Sequence, residues 1–547
     1  MKKISIVSLL LFLSAFPVAA QTTPPLRQQA APSPARLDQE QPQKEHKVTS
    51  EEARELFQSV DEILRFASAD TLLPVKFPVK KAMVNRAQVE KYIGDKFKDD
   101  VDRIRFERSE LVLKKFGLLP RKFELHDFLI KLMGEQVAGY YDEKTKTINL
   151  LDWVELDMQK AVMAHELTHA LQDQSFDLGK MMKEEEEIEK RGPQDPNALI
   201  RIDEKSTART AVMEGQAMIV FVDYLLKPMG HSVEDSPKLL DMMRGELEQN
   251  AGGTLFDSAP LLLKEELVFP YGAGMRFIRE LLIAGGRKLA FSGVLERMPR
   301  TSREILEPQE YLAGRVVPPL LLPDFDFLKK DFEAFDAGAV GELDVSILLK
   351  QYADNAVAAR LSPEWRGGAY YAAGRKGAKP SDANSTAHIG LLYVSKWSSD
   401  KVAQEFARIY AAALPQRYSK LEHERPEAAK PGREKYSSSD GPIFIELYND
   451  LVIAVEGFDA DTAEKLIQAA RRQAGKDSKF AARAASETRS REMIFYGQAS
   501  SNSPNWQILP PGAMLLNPTV LETFDQPDFS VYSNGTNPEW SFDQKLR

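Results

Sequence analysis

The chain contains no cysteine in its 547 residues, so it has no disulfide bond and no cysteine-ligated metal site. Any metal ligand must therefore be a histidine, aspartate or glutamate. Histidine itself is scarce, with seven in the whole chain. There is no excess of positive charge: 72 lysines and arginines stand against 81 acidic residues, a formal net charge of −9. This balance argues against a general nucleic-acid or anionic-membrane binder, so we expect no nucleic-acid partner.

Long apolar runs are confined to the N-terminus. Lys2 and Lys3 precede an apolar run from Ile4 to Phe16, and small residues follow up to Ala20. This pattern predicts a signal peptide over residues 1–20, cleaved before Gln21. A membrane anchor is the less favoured interpretation, because the run is too short to span about 30 Å of hydrocarbon. No later run reaches membrane-spanning length, so the mature chain is predicted to lack a transmembrane segment. We expect export to the periplasm or the extracellular space.

Composition divides the rest of the chain into four regions. Residues 21–47 are rich in Pro and Gln and predict a disordered leader. Residues 48–327 are mostly helical in pattern with a small sheet, and 328–475 predict a smaller α+β unit with two strand pairs, each followed by a helix. Residues 476–547 predict a polar, poorly packed tail. The predicted fold class is α+β.

The strongest motif is His165-Glu166-Leu167-Thr168-His169. Histidines four positions apart share one face of a helix, so both imidazoles can bind one metal ion. The glutamate between them is placed to act as a general base on a water whose pKa zinc lowers to about 7. The motif predicts a catalytic zinc site.

The surroundings of the motif predict its structural setting. Val137–Leu150 has a strand–turn–strand pattern, and its first strand is either a sheet edge that pairs with a substrate backbone or part of an ordinary hairpin. Asp152 and Glu155 form a capping pattern at the start of the metal helix, and Gly179 predicts its end. The acidic run Glu184–Glu187 predicts a solvated loop or the rim of a cleft.

Catalytic zinc usually has three protein ligands. An elongated zinc motif would require glycine and histidine where this chain has Gln172 and Ser175, so that subclass is excluded. Glu214, 45 residues after the second histidine and within an apolar helical segment, is the candidate for the third ligand. The glycine that follows, Gly215, suits a close approach of two helices. The alternative is that Glu214 faces solvent or pairs with Arg209.

These residues carry a family resemblance. HELTHALQDQ at His165–Gln174 with EGQA at Glu214–Ala217 resembles the gluzincins, the zinc metallopeptidases with two histidines and a glutamate. Three further patches resemble a less characterised group of secreted bacterial members: GYYD at Gly139–Asp142, FPYGAG at Phe269–Gly274 and TSREILEPQEY at Thr301–Tyr311.

The resemblance implies a zincin-like, thermolysin-like domain over 48–327. It also implies one zinc ion per chain, with His165, His169 and Glu214 as ligands and Glu166 as the base. A peptide or protein is the implied substrate.

Two further roles in such a site, the support of a ligand histidine and the donation of a hydrogen bond to the oxyanion, have candidate residues but no sequence motif. Thermolysin-like enzymes carry an aspartate four residues after the glutamate ligand, where this chain has Met218, so Asp173 or Asp203 is expected to support a ligand histidine instead. A donor to the oxyanion of the tetrahedral intermediate is also needed. Tyr271 is the first candidate and His231 the second.

The sequence therefore predicts an exported zinc metallopeptidase that hydrolyses peptide bonds through a zinc-activated water, with Glu166 as general base. The alternative is a catalytically inactive zincin-like binding protein or an envelope-assembly factor. Substrate specificity and oligomeric state are not specified by the sequence.

Overall fold

In a computed structural model, the structure describes residues 47–96, 100–235, 254–377, 385–425 and 432–475. The predicted signal peptide (1–20) and tail (476–547) lie outside these residues, as does all of the leader except residue 47. Among the described residues, no helix combines the length and the apolarity needed to cross a bilayer.

The N-terminal part is dominated by helices. They are α1 (Ser50–Thr71), α2 (Arg86–Lys96), α3 (Asp100–Phe116), α4 (Leu125–Gln136), α5 (Leu156–Phe176), α6 (Leu178–Arg191), α7 (Pro196–Leu226), α8 (Thr254–Ser258), α9 (Leu261–Lys288), α10 (Val294–Glu296), α11 (Ser302–Leu306) and α12 (Pro308–Leu312). A π turn, Leu289–Gly293, connects α9 to α10. A small sheet in the order β1–β3–β2 is formed by β1 (Lys80–Val84), β2 (Gly139–Asp142) and β3 (Thr147–Leu151).

The C-terminal part is built on a seven-stranded sheet. Its elements are β4 (Phe332–Ala339), α13 (Glu342–Tyr352), α14 (Asn355–Leu361), β5 (Trp365–Arg375), β6 (Ile389–Trp397), α15 (Asp400–Arg417), β7 (Glu422–His423), β8 (Arg433–Ser437), β9 (Ile443–Tyr448), β10 (Leu451–Glu456) and α16 (460–475). The strand order is β4–β5–β6–β10–β9–β8–β7, and all neighbours are antiparallel. The predicted α+β class is confirmed, as are the two strand pairs that each precede a helix.

The large sheet is apolar on both faces. Successive residues of β6 point to opposite sides, so Tyr393 packs against Phe406 of α15 while Val394 belongs to the core that includes Leu466 of α16. The first face continues into the helical part, where Phe116 of α3 contacts Tyr393 with ring centroids 5.5 Å apart. Helices and sheet therefore share one core, and the boundary near residue 328 stays a prediction.

The ends of the metal helix differ from the predicted ones. Glu155, and not Asp152, is the N-cap of α5, and it makes no side-chain cap bond. The backbone N–H of Asp152 donates instead to the carbonyl of Val84 in β1. The helix ends before Asp177, which adopts the left-handed conformation (φ 50°) and whose carboxylate accepts from the N–H of Lys180. Asp177 thus ends α5 and caps α6, so the prediction of Gly179 as the end was wrong.

The acidic run is helical rather than a loop. Glu184–Glu187 lies within α6, and Glu185 forms a two-pronged ion pair with Arg209 of α7. Local charge had suggested a solvated loop, but the contact with a neighbouring helix offsets the repulsion along the run. The pairing also removes Arg209 as a partner of Glu214.

Candidate metal centre

Helices α5 and α7 bring the three predicted metal ligands together. The Nε2 atom of His165 lies 3.1 Å from Oε2 of Glu214, and Nε2 of His169 lies 3.5 Å from the same oxygen. One ligand atom from each residue falls within 4.8 Å of the others. All three side chains are buried, with Glu214 only 1% exposed, so the solvent-facing alternative for Glu214 is wrong. Within the described ranges no other group of acidic and histidine side chains converges in this way.

Two glycines set the distance between α7 and α9. A Cβ atom on Gly215 would lie 2.4 Å from the carbonyl of Gly274, and one on Gly274 would lie 2.1 Å from the carbonyl oxygen of Ala211. No side chain fits between these backbones, which explains the glycine next to Glu214, the third candidate ligand. Sequence reasoning expected a close helix approach at Gly215 but did not identify Gly274 as its partner.

Glu166 lies beside the ligands and is held by strand β2. Its Oε2 accepts the N–H of Tyr141 at 2.7 Å, while Oε1 is buried without a hydrogen-bond partner. Among the described strands β2 pairs with β3 alone, so Tyr141 bonds to Glu166 from the outer edge of this sheet. Gly139 lies over the same helix, because a Cβ atom there would meet Val162 at 2.9 Å and Glu166 at 4.0 Å. A free strand edge beside the metal cluster agrees with one of the two roles predicted for this hairpin.

The electrostatics of the cluster favour a bound cation. Burial raises the pKa of Glu166 to about 8, while nearby His169 and the Tyr141 N–H partly oppose this rise. Burial also lowers the pKa of His165 to about 4. Burial would raise the pKa of Glu214, but the two neighbouring histidines outweigh this effect and lower it to about 2. Burial would lower the pKa of His169, but the negative charge of Glu214 raises it to about 9. Without a cation the cluster must therefore take up protons, which a metal ion would displace.

The support of the ligand histidines differs from the prediction. Asp173 accepts from the hydroxyl of Tyr141 at 2.9 Å and from Lys146, and Asp203 accepts from the backbone N–H of Ala339 at 2.9 Å. These contacts connect Asp173 to the β2–β3 hairpin and Asp203 to the strand β4.

Gln172 supports the second histidine instead. Its Oε1 lies 2.8 Å from Nδ1 of His169. Sequence reasoning missed it, although a residue three positions after a ligand lies on the same helix face.

Of the two candidate oxyanion donors, one lies beside the cluster. The ring of Tyr271, on α9, is buried with its centroid 6.4 Å from that of His165. His231 is exposed, after the end of α7, and its backbone N–H donates to Leu226. Tyr271 therefore stays the candidate, and exposure sets His231 apart from the buried cluster.

The remaining resembling patch has a structural placement. Thr301 and Glu304 form a capping box at the start of α11. Ser302 donates from its backbone and its hydroxyl to one oxygen of Glu204 on α7, at 2.9 and 2.7 Å. This patch therefore fastens the N-terminal half of the helix whose other half carries Glu214.

Comparison with known proteins adds little. No protein-family model and no curated protein sequence matches the chain. A solved structure from Chloroflexus aurantiacus, described as "a putative hydrolase with a novel fold", aligns with 48% of this chain and 90% of that chain. At 14% identity and a TM-score of 0.32, this similarity carries no argument about fold or function. Membership of the gluzincins therefore stays a proposal.

The donor set can hold a metal ion. Two imidazole nitrogens and one carboxylate oxygen form a set that zinc prefers, and three protein ligands leave a position for a further ligand. Nε2 of His169 is buried without a hydrogen-bond partner, as is Oε1 of Glu166. Buried polar atoms of this kind require a partner, and an ion between the three side chains would supply one for His169.

Proposed function

We propose that the protein is a zinc-dependent metallopeptidase of the gluzincin type, which binds one zinc ion per chain and hydrolyses peptide bonds. The observation that carries the proposal is the buried cluster of His165, His169 and Glu214, with Glu166 held beside it by Tyr141. When bound, zinc would polarise a scissile carbonyl and increase the acidity of water.

The chain's own residues account for the proton transfers. Glu166 accepts the proton of the attacking water through the oxygen not bonded to Tyr141 and then delivers it to the leaving amine. The Tyr141 N–H holds the carboxylate in position, and burial keeps its basicity high. Tyr271 is the proposed donor to the oxyanion that forms on the substrate carbonyl.

The free edge of β2 offers a place for an extended substrate. Backbone pairing would position a peptide with little dependence on its sequence, because the hydrogen bonds come from main-chain groups. We propose a peptide or unfolded protein segment as the substrate on this basis.

The test compares wild type with Glu166→Gln, which keeps the shape of the side chain but removes the base. Zinc content is measured by elemental analysis, and hydrolysis is measured with fluorescently labelled casein and a random peptide library. We expect about one zinc in both proteins and a loss of activity of about 10²–10⁴-fold in the variant. Glu135→Gln, an exposed acid on α4, controls for the loss of one charge.

Each contrary result has a distinct meaning. Wild type without zinc after reconstitution would refute the metal site. Zinc binding without hydrolysis of any peptide would favour the alternative of a binding or envelope-assembly protein. Undiminished hydrolysis in Glu166→Gln would refute the role of Glu166.

We also propose that the chain is exported, on the basis of the pattern in residues 1–20. Mass spectrometry of the protein recovered outside the cytoplasm should give an N-terminus at Gln21. Retention of an uncleaved chain in the cytoplasm would contradict export.

A further inference from the structure

A chain of buried amides leads from a ligand histidine to the π turn. Gln172 lies 2.8 Å from Nδ1 of His169 through Oε1, and its Nε2 donates to the carbonyl of Met213 at 3.1 Å and to Oε1 of Gln216 at 2.8 Å. Nε2 of Gln216 donates to the carbonyls of Ala290 and Phe291 at 2.7 and 3.0 Å. Both glutamines are fully buried.

The backbone carbonyls fix the direction of every bond in this chain. A carbonyl oxygen only accepts, so the amide nitrogen of Gln216 must face the π turn and its oxygen must face Gln172. By the same reasoning, the amide nitrogen of Gln172 must face Met213, which turns its oxygen towards His169. An amide oxygen also only accepts, so Nδ1 of His169 must carry the hydrogen.

The hydrogen on Nδ1 determines what the other ring nitrogen can do. In a neutral imidazole with Nδ1 protonated, Nε2 has a free lone pair, and this atom of His169 faces Glu214 at 3.5 Å. Once a metal ion displaces the proton that Nε2 holds in the absence of a cation, this lone pair is directed into the cluster.

Neutral amides suit this position better than a carboxylate. The cluster already contains the buried carboxylates of Glu166 and Glu214. A third buried negative charge would be costly to desolvate, whereas an amide accepts the Nδ1 hydrogen without adding charge. The π turn that accepts the last hydrogen bonds of these two amides is a helix irregularity of a kind often found at functional sites.

We propose that Gln172, held by Gln216 and the π turn, is the positioning residue that fixes the Nδ1–H tautomer of His169 and so prepares Nε2 to bind the metal. The inference rests on the proposed function only in requiring a metal at this cluster. It assigns Gln172 no contact with substrate.

The test measures zinc affinity rather than activity. Gln172→Met replaces the amide with an apolar side chain of similar length. Gln159→Met is the matched control, because Gln159 is also fully buried on α5 and donates to two backbone carbonyls, those of Leu151 and Val154, at 2.8 Å each. It lies ten residues before His169, about 15 Å along the helix. Zinc dissociation constants are measured by competition with a chelator, and folding is checked by thermal unfolding.

We expect Gln172→Met to weaken zinc binding by about 10–100-fold and Gln159→Met to leave it unchanged, although both should lower thermal stability. Gln216→Met should give a smaller loss than Gln172→Met, because Met213 still orients the Gln172 amide. This second variant also provides the test if Gln172→Met does not fold.

A spectroscopic readout tests the tautomer directly. In protein loaded with cadmium-113 and labelled with nitrogen-15 on histidine, coupling to the metal should appear at Nε2 of His169, and Nδ1 should carry a slowly exchanging proton. Gln172→Met should make that proton exchange rapidly.

Several outcomes would overturn the inference. One is equal zinc affinity in Gln172→Met, Gln159→Met and wild type; another is an equal loss in both variants, since that would reflect general destabilisation. Coupling at Nδ1 of His169 would contradict the assigned tautomer. Wild type that binds no zinc would refute the proposed function itself, which is a separate result.

Discussion

The contact between α7 and α9 can be tested with one methyl group. Gly274→Ala places a Cβ atom 2.1 Å from the carbonyl oxygen of Ala211, and real Cβ atoms essentially never lie closer than 3.0 Å to such an atom. The two atoms must therefore separate by at least 3.0 − 2.1 = 0.9 Å. The obstacle is helix backbone rather than a flexible side chain, so α7 and α9 themselves must move apart.

The expected cost follows from two opposing effects. Overpacking of a closely packed interior destabilises by about 1–3 kcal/mol, whereas alanine in a helix is favoured over glycine by roughly 0.5–1 kcal/mol. We expect a net loss of about 2 kcal/mol in the free energy of unfolding, because backbone meets backbone at this site. For a chain of this size, with an unfolding entropy of about 1 kcal/mol per kelvin, the melting temperature should fall by roughly 2 °C.

The metal site should respond as well. Glu214 lies three residues after Ala211, within one helical turn of the forced movement. Metal–ligand distances tolerate changes of only about 0.2 Å, so a shift of this size should weaken zinc binding measurably.

The assay pairs calorimetry with a zinc-binding titration and compares Gly274→Ala with Gly134→Ala. Gly134 lies in α4 with no atom within 4 Å of a Cβ built on it, so its substitution should stabilise the protein by roughly 0.5–1 kcal/mol. If both variants had the same melting temperature and the same zinc affinity, the two helix backbones would not be in contact and the reasoning would be refuted.

Three further substitutions test other parts of the structure. The guanidinium of Arg417 lies 2.6 Å from the buried carboxylate of Glu456, and Arg417→Met removes this ion-pair partner. The free energy of unfolding, measured by chemical denaturation, should fall by about 3–5 kcal/mol. A loss below about 1 kcal/mol would contradict this prediction. Gln174→Ala removes three hydrogen bonds to the backbone of residues 76–77. Trypsin should therefore cleave at this segment at least about fivefold faster than in wild type. An unchanged cleavage rate would mean that other contacts hold the segment. Tyr271→Phe should lower kcat by about 10²–10³-fold with zinc retained, whereas an unchanged kcat would make this tyrosine structural.

Patterns that depend on a few consecutive residues were predicted well from the sequence. The two strands that became β2 and β3 were found because apolar residues flank a polar turn, and β9 and β10 because Asn449 and Asp450 separate two apolar runs. The end of α5 was missed because an aspartate, Asp177, takes the left-handed conformation usually left to glycine.

Features that depend on distant partners were not predictable. The acidic run lies in a helix, and its Glu185 pairs with Arg209 on another helix, a partner that local charge does not indicate. The contact of Asp203 with the N–H of Ala339 could not be read from its own helix either, because Ala339 lies on β4, 136 residues away. Local composition contains no information about such partners, so a buried acid in the sequence does not reveal which distant group it contacts.

The metal cluster falls between these two cases, and the difference explains which of its residues were found. His165, Glu166 and His169 are fixed by helical spacing alone, and Glu214 was inferred because an acid in an apolar helix needs a cation. The direction of the Gln172 amide, in contrast, depends on carbonyls of Met213 and of the π turn, which only the tertiary structure brings near. Helical periodicity thus selects the side chains that could bind an ion, while the fold determines which ring nitrogen of His169 faces an acceptor. A sequence motif specifies only the first of these.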